Sequence, residues 1–281
     1  MSLCLGPRTT ASQPGAVSVA IPRFNHVKCA PSAALAPFVD HYWITRWDRR
    51  GHSPRTAAAL LDPCVHLQVQ DGDATVMGVL RGTYGVRIED QGCVVGVRFR
   101  PGGFHPFVLR PVAEFTDRSV PATDVFGDAA GSTTTWAGEL SAAALTCVGD
   151  AAAHAALIAP RLDAFLAARL PARDPIAESV DELVRLIARE ADVRRVGDLV
   201  RASGRSERTL DRLFARYVGA SPAWVIRRYR LRAAAARLTA SPPADVRAVA
   251  WDCGYADQAH FIRDFRATIG VTPGAYVQAR S

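Results

Sequence analysis

One segment of the chain is written twice. "RSERTLDRLFARYVGASP" (205–222) lies over "ADQAHFIRDFRATIGVTP" (256–273) at a constant offset of 51 residues. Ser206 falls on Asp257, Leu210 on Phe261, Arg212 on Arg263, Phe214 on Phe265, Val218 on Ile269, Gly219 on Gly270 and Pro222 on Pro273. Upstream, "VGDLVRASG" and "VRAVAWDCG" repeat at an offset of 50. Each copy reads as a short amphipathic helix, a glycine turn, a capped second helix and a glycine stop, which is a helix-turn-helix unit. Ser221 caps and Pro222 opens a long helix, "AWVIRRYRLRAAAARL", that joins the two units.

Helical spacing separates the faces of the repeated second helix. Phe261, Ile262, Phe265 and Ile269 gather on one side, and His260 and Arg263 project from the other. In the first copy Leu210, Leu213, Phe214 and Tyr217 form the apolar side. Arg208, Arg212 and Arg216 project, with Thr209 at their margin. Asp257 reads as a helix N-cap rather than a catalytic carboxylate. Exposed arginines are common on any helix, so the argument rests on their repetition and on the local charge. Residues 176–281 carry 18 Lys and Arg against 12 Asp and Glu, a net of +6, whereas residues 1–175 are nearly balanced at 16 against 15. A basic terminal domain points to a polyanion, most simply nucleic acid. Arginine can pair with guanine O6 and N7 in the major groove. Gln258 at a helix N-terminus, with Arg216 and Arg227, is placed to meet phosphates.

The N-terminal part has a different pattern. "HYWITRW", "HLQVQ", "ATVMGVL", "YGVRI" and "VVGVRFR" are short β-branched and aromatic runs separated by turn signals, which predicts a small antiparallel barrel or sandwich. Thr133 to Val148 and Asp150 to Leu170 are Ala/Leu-rich and read as helices, the second broken or kinked at Pro160. A boundary follows at "PARDP", where Asp174 can cap and Pro175 can open a helix with Ile176, Val180, Leu183, Val184 and Ile187 on one stripe. The expected fold is α+β in two domains. Residues 1–20 form a disordered tail. Residues 21–174 form a β-rich domain of barrel or sandwich type trailed by helices over about 130–170, and residues 175–281 form an all-α domain with two helix-turn-helix units.

At the repeats the sequence resembles the AraC/XylS family of bacterial transcription regulators. "VAWDCGYADQAHFIRDFRATIGVTPGAY" (249–276) carries most of the likeness. "RTLDRLFARYVGASPAWVIRRYRLRAAAARL" (208–238) adds the first unit and its linker, so the resemblance covers residues 180 to 278. It implies double-stranded promoter or operator DNA as partner and a cytoplasmic, nucleoid-associated location. It also implies base-facing positions at Arg208, Asp211 and Arg212 in the first unit and at Ala259, His260 and Arg263 in the second. "LDPCVHLQV" (61–69) and "GVRFRPGGFHPFVL" (96–109) more loosely resemble sensor halves of such regulators. That likeness implies a small effector or a homodimer contact in the N-terminal half, and RNA polymerase as a further partner if the protein activates. His66, Arg98 and Trp43 are the candidate effector residues.

Rival chemistry is sparse. Cys64 and His66 share a strand face as two metal ligands would, with Cys93 and His105 as further candidates, yet no third ligand is defined and the plain reading is packing, so no metal and no cofactor is expected. Arg98 and Arg100 alternate with Val97 and Phe99 and either hold an anion or cover a solvent face, the second being favoured. "RPGGFHP" lacks the lysine and spacing of a phosphate loop, and neither G-x-S-x-G nor H-E-x-x-H occurs, so no enzyme is expected. The alternatives are an enzyme or metal-binding cupin-like domain fused to a DNA-binding tail, and a dimerising regulator without a ligand. The six cysteines are scattered, which fits a reducing compartment, and no apolar run is long enough to span a membrane.

Overall fold

The computed structural model describes residues 25–147, 151–190, 192–240 and 245–278. The tail expected at 1–20 lies outside these residues. Eight strands come from the N-terminal part: β1 (Asn25–Cys29), β2 (Val39–Asp48), β3 (Arg55–Ala59), β4 (His66–Gln70), β5 (Asp73–Met77), β6 (Tyr84–Ile88), β7 (Gln91–Phe99) and β8 (Ser119–Pro121). Six pair in the order β1-β2-β7-β4-β5-β8, and β3 and β6 form a separate two-stranded sheet. Every strand pairing among the described residues is antiparallel. The result is two open sheets, not the closed barrel that was one of the expected forms.

Side-chain alternation gives the large sheet two distinct faces. Tyr42 and Ile44 of β2, Leu67 and Val69 of β4, and Val95, Val97 and Phe99 of β7 are buried under two helices, α3 (Ser132–Thr146) and α4 (Ala151–Ala167). Leu140, Ala144, Ile158, Leu162 and Leu166 fill the other side of that core. Tyr42 ties the layers together by donating to Asp163 of α4 at 2.6 Å. The α4 helix continues past Pro160. Two short helices precede this pair, α1 (His105–Val108) and α2 (Ala122–Phe126), with a 3-10 turn at Val112–Phe115 between them.

The small sheet covers the opposite face. The Tyr84 hydroxyl reaches Gln68 at 3.2 Å, and the Trp47 indole donates to the Glu89 carbonyl at 3.1 Å. Covered on both sides, β4 is buried over His66–Val69 although half of those side chains are polar. Trp43 and Trp47 lie flat against Gly96 and Gly92, where a Cβ would come within 2.2 and 2.3 Å of the rings.

The C-terminal part is helical: α5 (Pro175–Arg189), α6 (Val196–Ser203), α7 (Glu207–Tyr217), α8 (Pro222–Leu238), α9 (Val246–Asp252), α10 (Gln258–Ile269) and α11 (Pro273–Gln278). Two apolar cores divide it. One gathers Val180, Val184, Leu199, Leu210, Phe214 and Val225, and the other gathers Leu231, Leu238, Val249, Phe261, Phe265 and Tyr276. The α5 stripe begins at Ala177 rather than Ile176, which is 47% exposed. At 17 residues, α8 spans about 25 Å and contributes to both cores. Each core takes one residue from outside: Val79 enters the first, and Leu60 packs on the second.

Candidate nucleic-acid interface

Both second helices start on a side-chain cap. Ser206 Oγ accepts from the Thr209 amide at 3.3 Å, and Asp257 Oδ1 accepts from the His260 amide at 2.7 Å. These caps satisfy amides that the first helical turn leaves without partners. The stops differ in detail. The backbone turns left-handed at Gly219 (φ 90) beyond α7 and at Gly270 (φ 93) beyond α10, a conformation that glycine adopts without the Cβ penalty.

The faces divide as the spacing predicts. Leu210, Leu213, Phe214 and Tyr217 are buried on α7, and Phe261, Phe265 and Ile269 on α10, while Ile262 is half-buried. Arg208, Asp211 and Arg212 of α7 are exposed, as are Ala259, His260 and Arg263 of α10. Arg208, Arg212 and Arg263 make no hydrogen bond or ion pair among the described residues, so their guanidinium groups are uncommitted. Thr209 is half-buried, and its hydroxyl bonds Ser206 Oγ at 2.9 Å, which gives it a share in the cap. His260 stands 3.7 Å from Asp264, whose carboxylate also accepts from Tyr255 at 3.1 Å and lies 3.6 Å from Arg227. Arg227 therefore ties α8 to α10. Gln258 is exposed at the start of α10 and lines a surface groove of about 630 Å³ with Asp257, Arg247 and the 73% exposed Trp251.

Arg216 has a partner on the other side of the molecule: its Nε donates to His105 Nε2 at 3.0 Å. A second arginine crosses the same divide. Arg228 of α8 is 1% exposed and donates to the carbonyls of Leu61, Arg81 and Gly82, and burial holds its guanidinium down at about 10, so it stays charged at neutral pH. Arg232, one turn on, pairs with Asp62. Sequence reasoning missed this seam, although a signal was present. Arg228 occupies the buried stripe of α8 with Val225, Leu231 and Ala235, and a charge on an apolar stripe asks for buried acceptors.

The candidate effector residues are brought together on the face beneath the small sheet. Trp43 and His66 rings meet edge to face at 6.3 Å, and His66 is the register partner of Arg98. Arg98 is already engaged, with Asp40 at 3.2 Å, Asp62 at 2.7 Å and Cys64 Sγ at 3.3 Å. Arg100 donates to the Ala36 carbonyl at 2.7 Å and stands 3.6 Å from Asp181 of α5. The expectation that these arginines merely cover a solvent face is therefore corrected for both: each is drawn inward by a carboxylate. His66 Nε2 lies 3.4 Å from Cys64 Sγ, and burial, with Arg98 and His41 adding, pushes the imidazole down to about 3. The hydrogen bond from His41 is the main reason that the Asp40 carboxyl is held down at about 2. Among the described residues no three His, Cys, Asp or Glu side chains are grouped as metal ligands, and no helix is long and apolar enough to cross a membrane.

Comparison with known families decides the C-terminal part: residues 199–279 match a family described as "Helix-turn-helix domain". Residues 199–279 are a helix-turn-helix domain. This helix-turn-helix domain contains α6 to α11, with both capped helices and the linker. Residues 27–121 match a family described as "Domain of unknown function (DUF6597)", which spans β1 to β8. No curated protein matches the chain. Among solved structures, an apo variant of ToxT from Vibrio cholerae is 11% identical, with a TM-score of 0.43, over 85% of this chain and 98% of that one. A second ToxT structure is 10% identical, with a TM-score of 0.39, over 92% and 98%. A third, ToxT bound to an unsaturated fatty acid, is 11% identical, with a TM-score of 0.36, over 90% and 91%.

Proposed function

We propose that this chain is a sequence-specific transcription regulator whose helix-turn-helix domain reads DNA through α7 and α10. The observation that carries the reading is the pair of capped helices that present Arg212 and Arg263 from repeat-equivalent positions, opposite buried Phe214 and Phe265, with no hydrogen-bond or ion-pair partner for either guanidinium among the described residues. Arg208, Arg212, His260 and Arg263 are the proposed base-side residues, with Thr209 at their margin. Gln258 and Arg227 are the proposed phosphate contacts, and Arg216 can join them only when it is released from His105. The reading assigns no catalytic step, no metal and no cofactor, and it places the protein in the cytoplasm on the nucleoid. Selection of bound duplexes from a random pool by the full chain tests it. A recovered motif with two half-sites supports the reading, and recovery of unrelated sequences at equal affinity overturns it.

The proposed division is 21–174 and 175–281, with Asp174 as the α5 cap at its boundary. Expression of residues 176–281 tests it, because both helical cores lie inside that fragment except for Val79 and Leu60. A fragment that fails to fold or to bind the selected site moves the boundary.

We further propose that the N-terminal face of Trp43, His66 and Arg98 receives a small effector, and that the N-terminal half supplies homodimer contacts and, in an activator, contacts to RNA polymerase. Arg98 favours an uncharged ligand, because an anion would have to displace Asp40 and Asp62. That same engagement supports a second reading, in which this face is filled by its own side chains and the N-terminal half only dimerises. Titration calorimetry of ligand mixtures recovered from the host, against wild type and Trp43→Ala, separates the two.

A further inference from the structure

The end of α7 is where the N-terminal part grips the helix-turn-helix domain. Tyr217 packs its ring on His105 with centroids 4.2 Å apart and donates its hydroxyl to Asp174 at 3.0 Å. Thr116 donates to the Gly219 carbonyl, and a Cβ at Gly219 would meet Val112 and Thr116 at about 3.1 and 3.0 Å. "RPGGFHP", rejected above as a phosphate loop, delivers His105 to this place. Its glycines let the backbone press against neighbours, since a Cβ at Gly103 would lie 2.2 Å from the Phe38 carbonyl oxygen and one at Gly102 would lie 2.7 Å from that of Ala177.

His105 arrives as a fixed acceptor. Its Nε2 receives the Arg216 Nε–H at 3.0 Å, which requires a neutral imidazole with its proton on Nδ1. Asp174 Oδ2 lies 3.8 Å from Nδ1 and favours that tautomer. Burial first, and then the Arg216 charge, hold His105 below the ordinary imidazole range, against the pull of Asp174. Arg216 follows Arg208 and Arg212 at steps of four residues along one flank of α7. The first two are uncommitted, and the third is tied back to the N-terminal part.

We propose that His105 is a positioning residue that withholds Arg216 from DNA. The proposal rests on the reading that the free face of α7 meets DNA. A neutral imidazole offers the Arg216 guanidinium one acceptor and no opposite charge, whereas a phosphate offers acceptors that carry the opposite charge, so the guanidinium exchanges partners once the His105 loop moves away. The N-terminal part thereby sets how many phosphates the first unit neutralises, while α10, whose core takes Leu60 alone from the N-terminal part among the described residues, stays outside this control.

The test measures binding of the full chain to a random-sequence DNA duplex over a range of salt concentrations. His105→Phe keeps a ring against Tyr217 but removes the acceptor, and it should tighten binding and steepen the log–log salt slope by about 0.9, one added phosphate contact. His105→Gln, which retains an acceptor, should behave as wild type. Arg216→Ala alone should leave the slope unchanged, and in the His105→Phe background it should erase the gain. Unchanged or weaker binding by folded His105→Phe at the wild-type slope overturns the proposal. So does a flatter slope for Arg216→Ala alone, which can be read whether or not the histidine variants fold. Wild type that binds no DNA, selected or random, sinks the DNA reading and this proposal with it. The other outcomes leave the DNA reading standing.

Discussion

Arg228 Nε and Nη2 both donate to the Leu61 carbonyl, at 3.1 and 2.9 Å, across 167 residues of sequence. Nη1 donates to the Arg81 carbonyl at 3.3 Å, and Nη2 also reaches the Gly82 carbonyl at 3.2 Å. The linker between the two DNA-facing units is thus bolted to the two chain segments that flank the small sheet, Leu61 beyond β3 and Gly82 ahead of β6.

Arg228→Met should destabilise the full chain by about 3 kcal/mol, because it removes hydrogen bonds from a charged donor and leaves buried carbonyls unpaired. Arg228→Lys should recover part of that loss. Chemical denaturation of the three proteins checks it, and a variant as stable as wild type would mean that water replaces the guanidinium at no cost.

Arg212→Ala and Arg263→Ala should weaken specific binding more than random-sequence binding, by ~1–3 kcal/mol of discrimination confined to one or two base pairs. Competition binding against single-base variants of the selected site measures this. A loss shared equally by every sequence, with a shallower salt slope, would reassign them to phosphate.

In α10 the cap, the surface and the core should respond differently. Asp257→Ser keeps an acceptor for the His260 amide and should retain most of the stability, whereas Asp257→Ala should cost ~0.5–2 kcal/mol. His260→Ala, at an exposed site, should leave the melting temperature nearly unchanged. Phe261→Ala, with its ring fully buried between Tyr255 and Phe265, should cost ~3–5 kcal/mol. The reverse order of His260 and Phe261 in a thermal melt would show the helix turned the other way.

His66 makes stability depend on pH in a defined sense. Its imidazole is held at about 3 in the fold and returns to about 6.5 when unfolded, so below 6.5 the unfolded chain binds the extra proton. Stability should therefore be full above about 6.5 and fall as the pH drops from there towards about 3. His105, also lowered, acts in the same direction. His66→Gln should flatten the slope of melting temperature between pH 7 and 5. An unaltered slope would place the titration on another residue.

The helix-turn-helix units were legible because their information is local. Caps, glycine stops and apolar spacing sit within one turn of the elements they define, and a repeat states them twice. The strands with β-branched alternation, β2, β4 and β7, were equally plain. The β3 strand, "RTAAA", offers no alternation to read, β1 is five residues long, and β8 ends in a proline. The seam was illegible for a different reason. Arg216 and His105 stand 111 residues apart, and nothing near Arg216 distinguishes it from Arg212. Which arginine faces solvent and which is held back depends on how two separately patterned parts dock, and that information is distributed over both.

Trp43 and Trp47, laid on Gly96 and Gly92, give the covered face its own optical reporters. An indole pressed against bare backbone has little room to tilt, so anything that slides between the sheets must first lift a ring. Emission wavelength and quenching at these two tryptophans would then register occupancy of that face directly, without a label and without DNA. The same close contact constrains drift, since a methyl group at position 92 or 96 would move the tryptophan above it as surely as a ligand would.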